Sequence, residues 1–224
     1  NGLQPITNPV IYTRNNIPSE DGLLSNKIFG VTMDDRSGIF AYIDLHGWYI
    51  DPLCYKTWSR IDKNIKSIVA RDDTFSLDNK GYIVQDPEGS TGVEFLKKNI
   101  DKIKFKDSTS DSVRRDLKVK YLDINRHKMF INKYPVIPPF YRDTNSGSNN
   151  KKVVGVNEIN HLYQQLIIIG DSLTATQEYG FDLSGPTSLR MQDTLVTIYD
   201  WFCGTNNANL QETNSSGLSG KMGV

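Results

Sequence analysis

Cysteine is nearly missing. Cys54 and Cys203 are the only two in 224 residues. Neither belongs to a CxxC pair or has a histidine at ligand spacing, which argues against a structural zinc site and a disulfide framework. Two reduced thiols are expected. A surplus of either charge is also lacking. Lys and Arg total 26 against 26 Asp and Glu, so a surface that binds polyanions all over is excluded. No stretch approaches the roughly 18 apolar residues of a membrane span. The strongest run is Leu166-Ile167-Ile168-Ile169. The first residues show no secretory leader. The chain starts at Asn1 instead of Met and stops at Gly220-Lys221-Met222-Gly223-Val224, and it reads as a piece cut from a longer polypeptide. What is present excludes wholesale disorder: 38% hydrophobic and 10% aromatic residues can build a core for one domain or two small ones.

Periodicity supplies the elements. Pro5, Pro9 and Pro18 forbid long helices in residues 1–30, and Ser19-Glu20-Asp21-Gly22 forms a turn. Residues 38–50 alternate, with Ile39, Ala41, Ile43 and Leu45 on one side, which predicts a strand. Trp48, Tyr49, Leu53, Tyr55 and Trp58 predict a core where that strand meets a following helix. Residues 91–103 predict a short helix with Val93, Leu96, Ile100 and Ile103 inward. Tyr134 to Arg142 is extended because its prolines fix φ, and a polar loop follows from Asp143 to Lys152. A helix capped by Asn157 carries Ile159, Leu162, Tyr163, Leu166 and Ile169 or Leu173. A second opens at Gly185-Pro186, carries Met191, Leu195, Ile198, Tyr199 and Phe202, and stops at Gly204. Between them, Thr174–Ser184 present Tyr179, Phe181 and Leu183 in a glycine-bracketed tip, and residues 205–217 form a polar loop.

Charge is unevenly placed. Glu94 to Lys133 holds twelve basic and six acidic residues, whereas Asn157 to Val224 holds two and seven. The middle segment is therefore the one suited to lie near phosphate, and the last helices are suited to another partner. The pairs Asp34-Asp35 and Asp72-Asp73 sit in turn-like contexts and are assigned no metal.

Ile167-Ile-Ile-Gly-Asp-Ser-Leu-Thr174 resembles the nucleophile block of GDSL esterases and lipases, with Ser172 as nucleophile. A serine needs a base, normally a histidine held by an aspartate. In that family the pair lies downstream of the serine. Here His46, His127 and His161 all precede Ser172, and helical spacing runs through the block, so the esterase is rejected.

Six segments, in order, resemble the N-terminal part of the largest (β′) subunit of multisubunit DNA-dependent RNA polymerases. Gly22-Leu-Leu-Ser-Asn-Lys-Ile-Phe-Gly30 is similar to G-L-F-x-x-x-I-F-G, and Tyr42 to Ile50 to the following strand and turn. Thr91-Gly-Val-Glu-Phe-Leu96 is similar to the G-A-E-A-I-x-x-L-L helix. Met129 to Arg142 resembles the V-L-P-V-x-P-P-x-x-R-P run. Asn157-Glu-Ile-Asn-His-Leu-Tyr163 resembles D-L-N-x-L-Y, which begins the clamp helices, and Leu218 to Gly223 resembles K-G-K-x-G at the start of switch 2. The chain departs from the bacterial pattern in having no four-cysteine ribbon after Phe29-Gly30 and in carrying Gln164-Gln165 where bacterial clamp helices are rich in arginine. Such trimming resembles the split-subunit polymerases of large bacteriophages.

The resemblance implies an α+β fold: a small clamp-core sheet with helices and a protruding antiparallel helical hairpin. Residues 1–142 would be the clamp core, 143–156 the lid-like loop, 157–204 the hairpin, and 205–224 a rudder-like loop with the start of switch 2. It implies part of a nucleotidyltransferase acting in transcription, with no catalytic residue or cofactor in this stretch. The aspartate loop that holds Mg²⁺ in the complete enzyme would lie beyond residue 224. Lys221, Lys151, Lys152 and Arg142 would contact nucleic acid, while Tyr179, Phe181, Leu183, Gln164 and Gln165 would meet a promoter-specificity factor or another subunit. The implied partners are β-like and C-terminal β′-like chains, DNA and the RNA–DNA hybrid, with no membrane. The implied location is the cytoplasm, that of the host for a viral protein, or the virion. A free-standing nucleic-acid-binding or scaffolding module is the alternative.

Overall fold

The computed structural model describes residues 2–105, 112–142, 145–146, 154–155, 157–179 and 184–205. The fold is α+β. Two compact units interleave in sequence: Asn1–Leu45, Lys133–Asp171 and Thr197–Val224 form the first, and His46–Asn132 with Ser172–Val196 the second.

In the first unit, β1 (Gln4–Pro5) pairs in parallel with the start of β2 (Ala41–Ile50). The sheet order is β1–β2–β5, where β5 is Phe130–Val136. Ala41, Ile43 and Leu45 are buried and Asp44 is exposed, as a half-buried strand requires. The short helix α1 (Asn26–Phe29) is capped by the Ser25 hydroxyl, which accepts from the Ile28 N–H at 3.2 Å. The helix α2 (Met33–Gly38) is capped by Thr32, whose Oγ1 accepts from the Asp35 N–H at 3.1 Å. Asp34 and Asp35 are thus first-turn residues, where a carboxylate is favoured by the helix dipole. Leu23, Phe29, Val136, Ile159, Tyr163 and Leu166 are fully buried.

In the second unit, α3 (Pro52–Ile61) follows β2 directly. Asp51 Oδ1 accepts from the Leu53 and Cys54 N–H groups at 3.1 Å, and proline occupies the first turn. Cys54, Tyr55, Trp58 and Ile61 make its inward stripe, while Leu53 is exposed. The expected aromatic core is present, with Trp58 meeting Phe105 edge-on at 5.2 Å. Next come α4 (Asn64–Ala70) and the antiparallel hairpin of β3 (Phe75–Leu77) with β4 (Ile83–Gln85). The helix α5 (Gly92–Asn99) buries Val93, Phe95 and Leu96; it ends before the expected 103, but Ile100 and Ile103 still pack inward. The helix α6 (Val113–Ile124) buries only Leu122, and its charged sequence gave no periodic signal.

The 3₁₀ turn Pro139–Arg142 follows β5. The expected lid-like loop 143–156 is not structureless throughout: β6 (Asn145–Ser146) and β7 (Val154–Gly155) pair antiparallel. The helix α7 (Glu158–Tyr179) begins as expected, with Asn157 Oδ1 accepting from the Ile159 N–H at 3.2 Å. The helix α8 (Ser184–Phe202) ends in a Schellman turn: Gly204 (φ +66°) donates to Trp201 O at 3.2 Å and Thr205 to Asp200 O at 3.0 Å. Among the described residues no helix is long and apolar enough to cross a membrane.

Candidate nucleic-acid interface

Arg142 does not stand where a phosphate contact would need it. It ends the 3₁₀ turn and is completely buried in the first unit. Its Nε donates to Ile137 O at 2.7 Å, one terminal nitrogen to Asn160 Oδ1 at 2.7 Å, and the other to Leu23 O at 2.6 Å. Asn160 returns a bond from Nδ2 to Arg142 O at 3.0 Å, and the guanidinium also lies 5.1 Å from the Phe29 ring centre and 5.9 Å from that of Tyr163. Burial pulls its pKa from 12.5 down to about 9, still well above neutral pH. The group is therefore charged in the core, and the planar fork matches three oxygen acceptors at once. The assignment of Arg142 to nucleic acid is corrected: its donors are spent inside the protein, and it clasps three chain segments together.

The sequence marked those segments separately and could not show that they meet. Leu23 and Phe29 come from the first resembling stretch, Arg142 from the fourth, and Asn160 and Tyr163 from the fifth. The missed residue is Asn160, fully buried in the first turn of α7. Its only signal was a polar residue on an otherwise apolar helical face.

Of the expected partner-binding residues, Gln164 is half-buried and donates from Nε2 to Pro9 O at 2.6 Å, while Gln165 is exposed. That bond engages Gln164 internally, leaving Gln165 the more available of the pair. Tyr179, expected in a tip that starts at Thr174, is instead the last residue of α7, because the helix continues through Thr174–Tyr179. Lys151, Lys152, Phe181, Leu183 and Lys221 lie outside the described residues.

The basic middle segment divides by role. Lys97 stacks over Trp48 at 3.8 Å, and Lys133 lies over Tyr42 at 4.5 Å. Arg126 donates to the carbonyls of Ile100 and Ile103, pairs with Asp123 at 2.6 Å and covers Phe105. These three cations serve packing. Lys98, Lys102, Lys104, Arg114, Lys120 and Lys128 are exposed. The asymmetry seen in the sequence therefore overstates the charge free to meet a ligand.

Ser172 sits inside α7, not on a turn after a strand, so nothing presents it as a nucleophile elbow does. His127 pairs with Asp101 at 3.3 Å, and His161 Nδ1 lies 3.1 Å from Gln164 Oε1. Among the described residues no three of His, Cys, Asp and Glu gather as metal ligands. Neither a protein-family model nor a curated protein matches the chain.

The two thiols should differ sharply in reactivity. Cys54 is buried and Cys203 exposed. Burial first, then the Asp51 carboxylate, pushes the Cys54 thiol from 9.0 up to about 12, leaving almost no thiolate at neutral pH. A chromogenic disulfide reagent should release one equivalent quickly from the native protein and the second only on unfolding. Two equivalents released at similar rates would show that the α3 environment opens readily.

Proposed function

We propose that the chain is the clamp part of a β′-like subunit of a DNA-directed RNA polymerase, holding template and hybrid while catalysis occurs elsewhere in the assembly. One observation carries this reading. Residues of three resembling segments, separated by more than a hundred positions, converge on the Arg142 guanidinium through Leu23 O and Asn160. Chance similarities scattered along a chain have no reason to meet at one buried polar centre, whereas motifs of one fold do. The strand at Tyr42–Ile50, the helix opening at Thr91 and the helix capped by Asn157 are the element types that the resemblance implies.

The test is capture of the tagged chain from the cells or infected cells that produce it. The expected result is co-purification with a chain carrying the D-F-D-G-D aspartates and with a β-like chain, in a complex that incorporates nucleotides on a template. A stable complex lacking both chains, or the protein recovered alone with no polymerase activity, would remove the reading.

A further inference from the structure

The β3–β4 hairpin and α5 line a cleft of about 900 Å³ in the second unit. Its two ends differ in charge for a reason visible in the backbone. At one end the hairpin turns through Asp78–Gly81, and the Lys104 N–H donates to Gly81 O at 2.8 Å. Gly81 has φ +88°, and a Cβ there would stand 2.4 Å from Lys102 O, so the chain after α5 lies directly against the turn. Lys80, Lys102 and Lys104 are thereby gathered. Lys98 stands one helical turn before Lys102, because the Lys102 and Ile103 N–H groups both return to Asn99 O.

The acids of the cleft are placed or occupied differently. Asp78 Oδ1 accepts the N–H groups of Tyr82 at 2.8 Å and Lys80 at 2.9 Å. Those backbone bonds, with the nearby Lys80 ammonium, hold its carboxyl below the ordinary range. Glu94 is paired with Arg71 at 2.9 Å. Asp86 and Glu88 belong to the opposite end, where Phe75 and Ser90 exchange backbone bonds at 2.8 Å. By contrast, none of the four lysine ammonium groups forms an ion pair with a described residue. One end of the cleft thus carries four cations with no ion-pair partner among the described residues, Lys80 lying near the Asp78 carboxylate.

We propose that this lysine end binds the phosphodiester backbone of a nucleic-acid strand. The inference rests on the polymerase reading for its choice of polyanion, but its geometry is independent of that reading. Ammonium groups fix phosphates without reading bases, so binding should be insensitive to sequence and steeply dependent on salt.

The test is fluorescence anisotropy of a labelled 20-nucleotide single strand with the full chain, titrated at several salt concentrations, with inorganic tripolyphosphate as competitor. Three variants separate the causes: Lys80, Lys98, Lys102 and Lys104 all to Gln; Lys98→Gln alone; and Lys27, Lys63, Lys118 and Lys120 all to Gln as a control of equal charge change. The cleft variant should flatten the salt slope by roughly 2 to 3, and Lys98→Gln by roughly 0.7, since each lost single-strand contact removes about that much. The control should keep the slope within about 0.7 of the parent. Equal losses in the cleft and control variants, no strand binding by the parent, or tripolyphosphate binding the cleft as tightly as the strand would each overturn the proposal. Because the assay uses this chain alone, strand binding in the cleft with no polymerase subunits captured would keep the cleft and discard the polymerase. Capture of those subunits with an unaffected cleft variant would do the reverse.

Discussion

Replacing Arg142 with methionine should lower stability by about 4 kcal/mol, because two buried oxygens and one half-buried oxygen lose charge-assisted bonds worth about 1.5–3 kcal/mol each, less what relaxation recovers. Leu23 O and Asn160 Oδ1 belong to residues with no solvent exposure and have no water to turn to, while Ile137 O belongs to a half-buried residue. Methionine fills much of the volume, so the loss isolates the polar term. Arg142→Lys should recover only about half, because one ammonium cannot serve three acceptors spread along a planar fork. Denaturant unfolding measures both. A change under about 1 kcal/mol for Arg142→Met would mean that the clasp does not hold the first unit together. The same variant separates the clasp from a phosphate contact: while it stays folded at low temperature, its salt slope for nucleic acid should match that of the parent.

The second large effect is expected at Gln192, a residue with no solvent exposure. Its Nε2 donates to Ile50 O at 2.7 Å, and its Oε1 accepts the Ile50 N–H at 2.9 Å. One side-chain amide thus stands in for a neighbouring strand at the end of β2. Gln192→Ala leaves a buried donor and a buried acceptor unpaired, at about 1–3 kcal/mol each, so a loss of about 3 kcal/mol is expected. Gln192→Glu adds a pH test. Burial disfavours the carboxylate, so the folded-state pKa lies above the unfolded value of about 4.3. Stability should then be highest below that value and fall as pH rises from it towards the raised folded pKa. A Gln192→Glu protein whose stability relative to the parent is the same at acid and neutral pH would show that the site admits water.

Local pattern and tertiary structure divided the work visibly in these two sites. Wherever a residue's role is set by its immediate neighbours, the chain alone was enough. The alternation at Ala41, Ile43 and Leu45, the Asn157 cap, the helical stripe from Ile159 to Leu173 and the Gly204 stop all appear in the structure. Periods of 2 and 3.6 residues and caps are short-range consequences of backbone geometry. The helix α6 escaped because it buries one residue and therefore has no stripe to display. The β3–β4 hairpin has three-residue strands, too short for alternation to register.

The sequence by itself determined the strand alternation at 38–50, both long helices, the Asn157 cap and the Gly204 stop, the aromatic core after β2, and the concentration of cations in the middle of the chain. Only the tertiary structure decided what the polar residues do. Arg142, expected from the resemblance to contact nucleic acid, proved to be a buried clasp, because its three acceptors come from positions up to 119 residues away. Gln192 carries no local signal that sets it apart from the other polar residues of α8, yet it completes a strand 142 positions earlier. Four lysines became a patch only when the Gly81 turn met the chain after α5. The physical reason is common to all three. Burial of apolar side chains is additive and legible one residue at a time, whereas a polar group's fate depends on which partner the folded chain brings within 3 Å, and that partner is not encoded nearby.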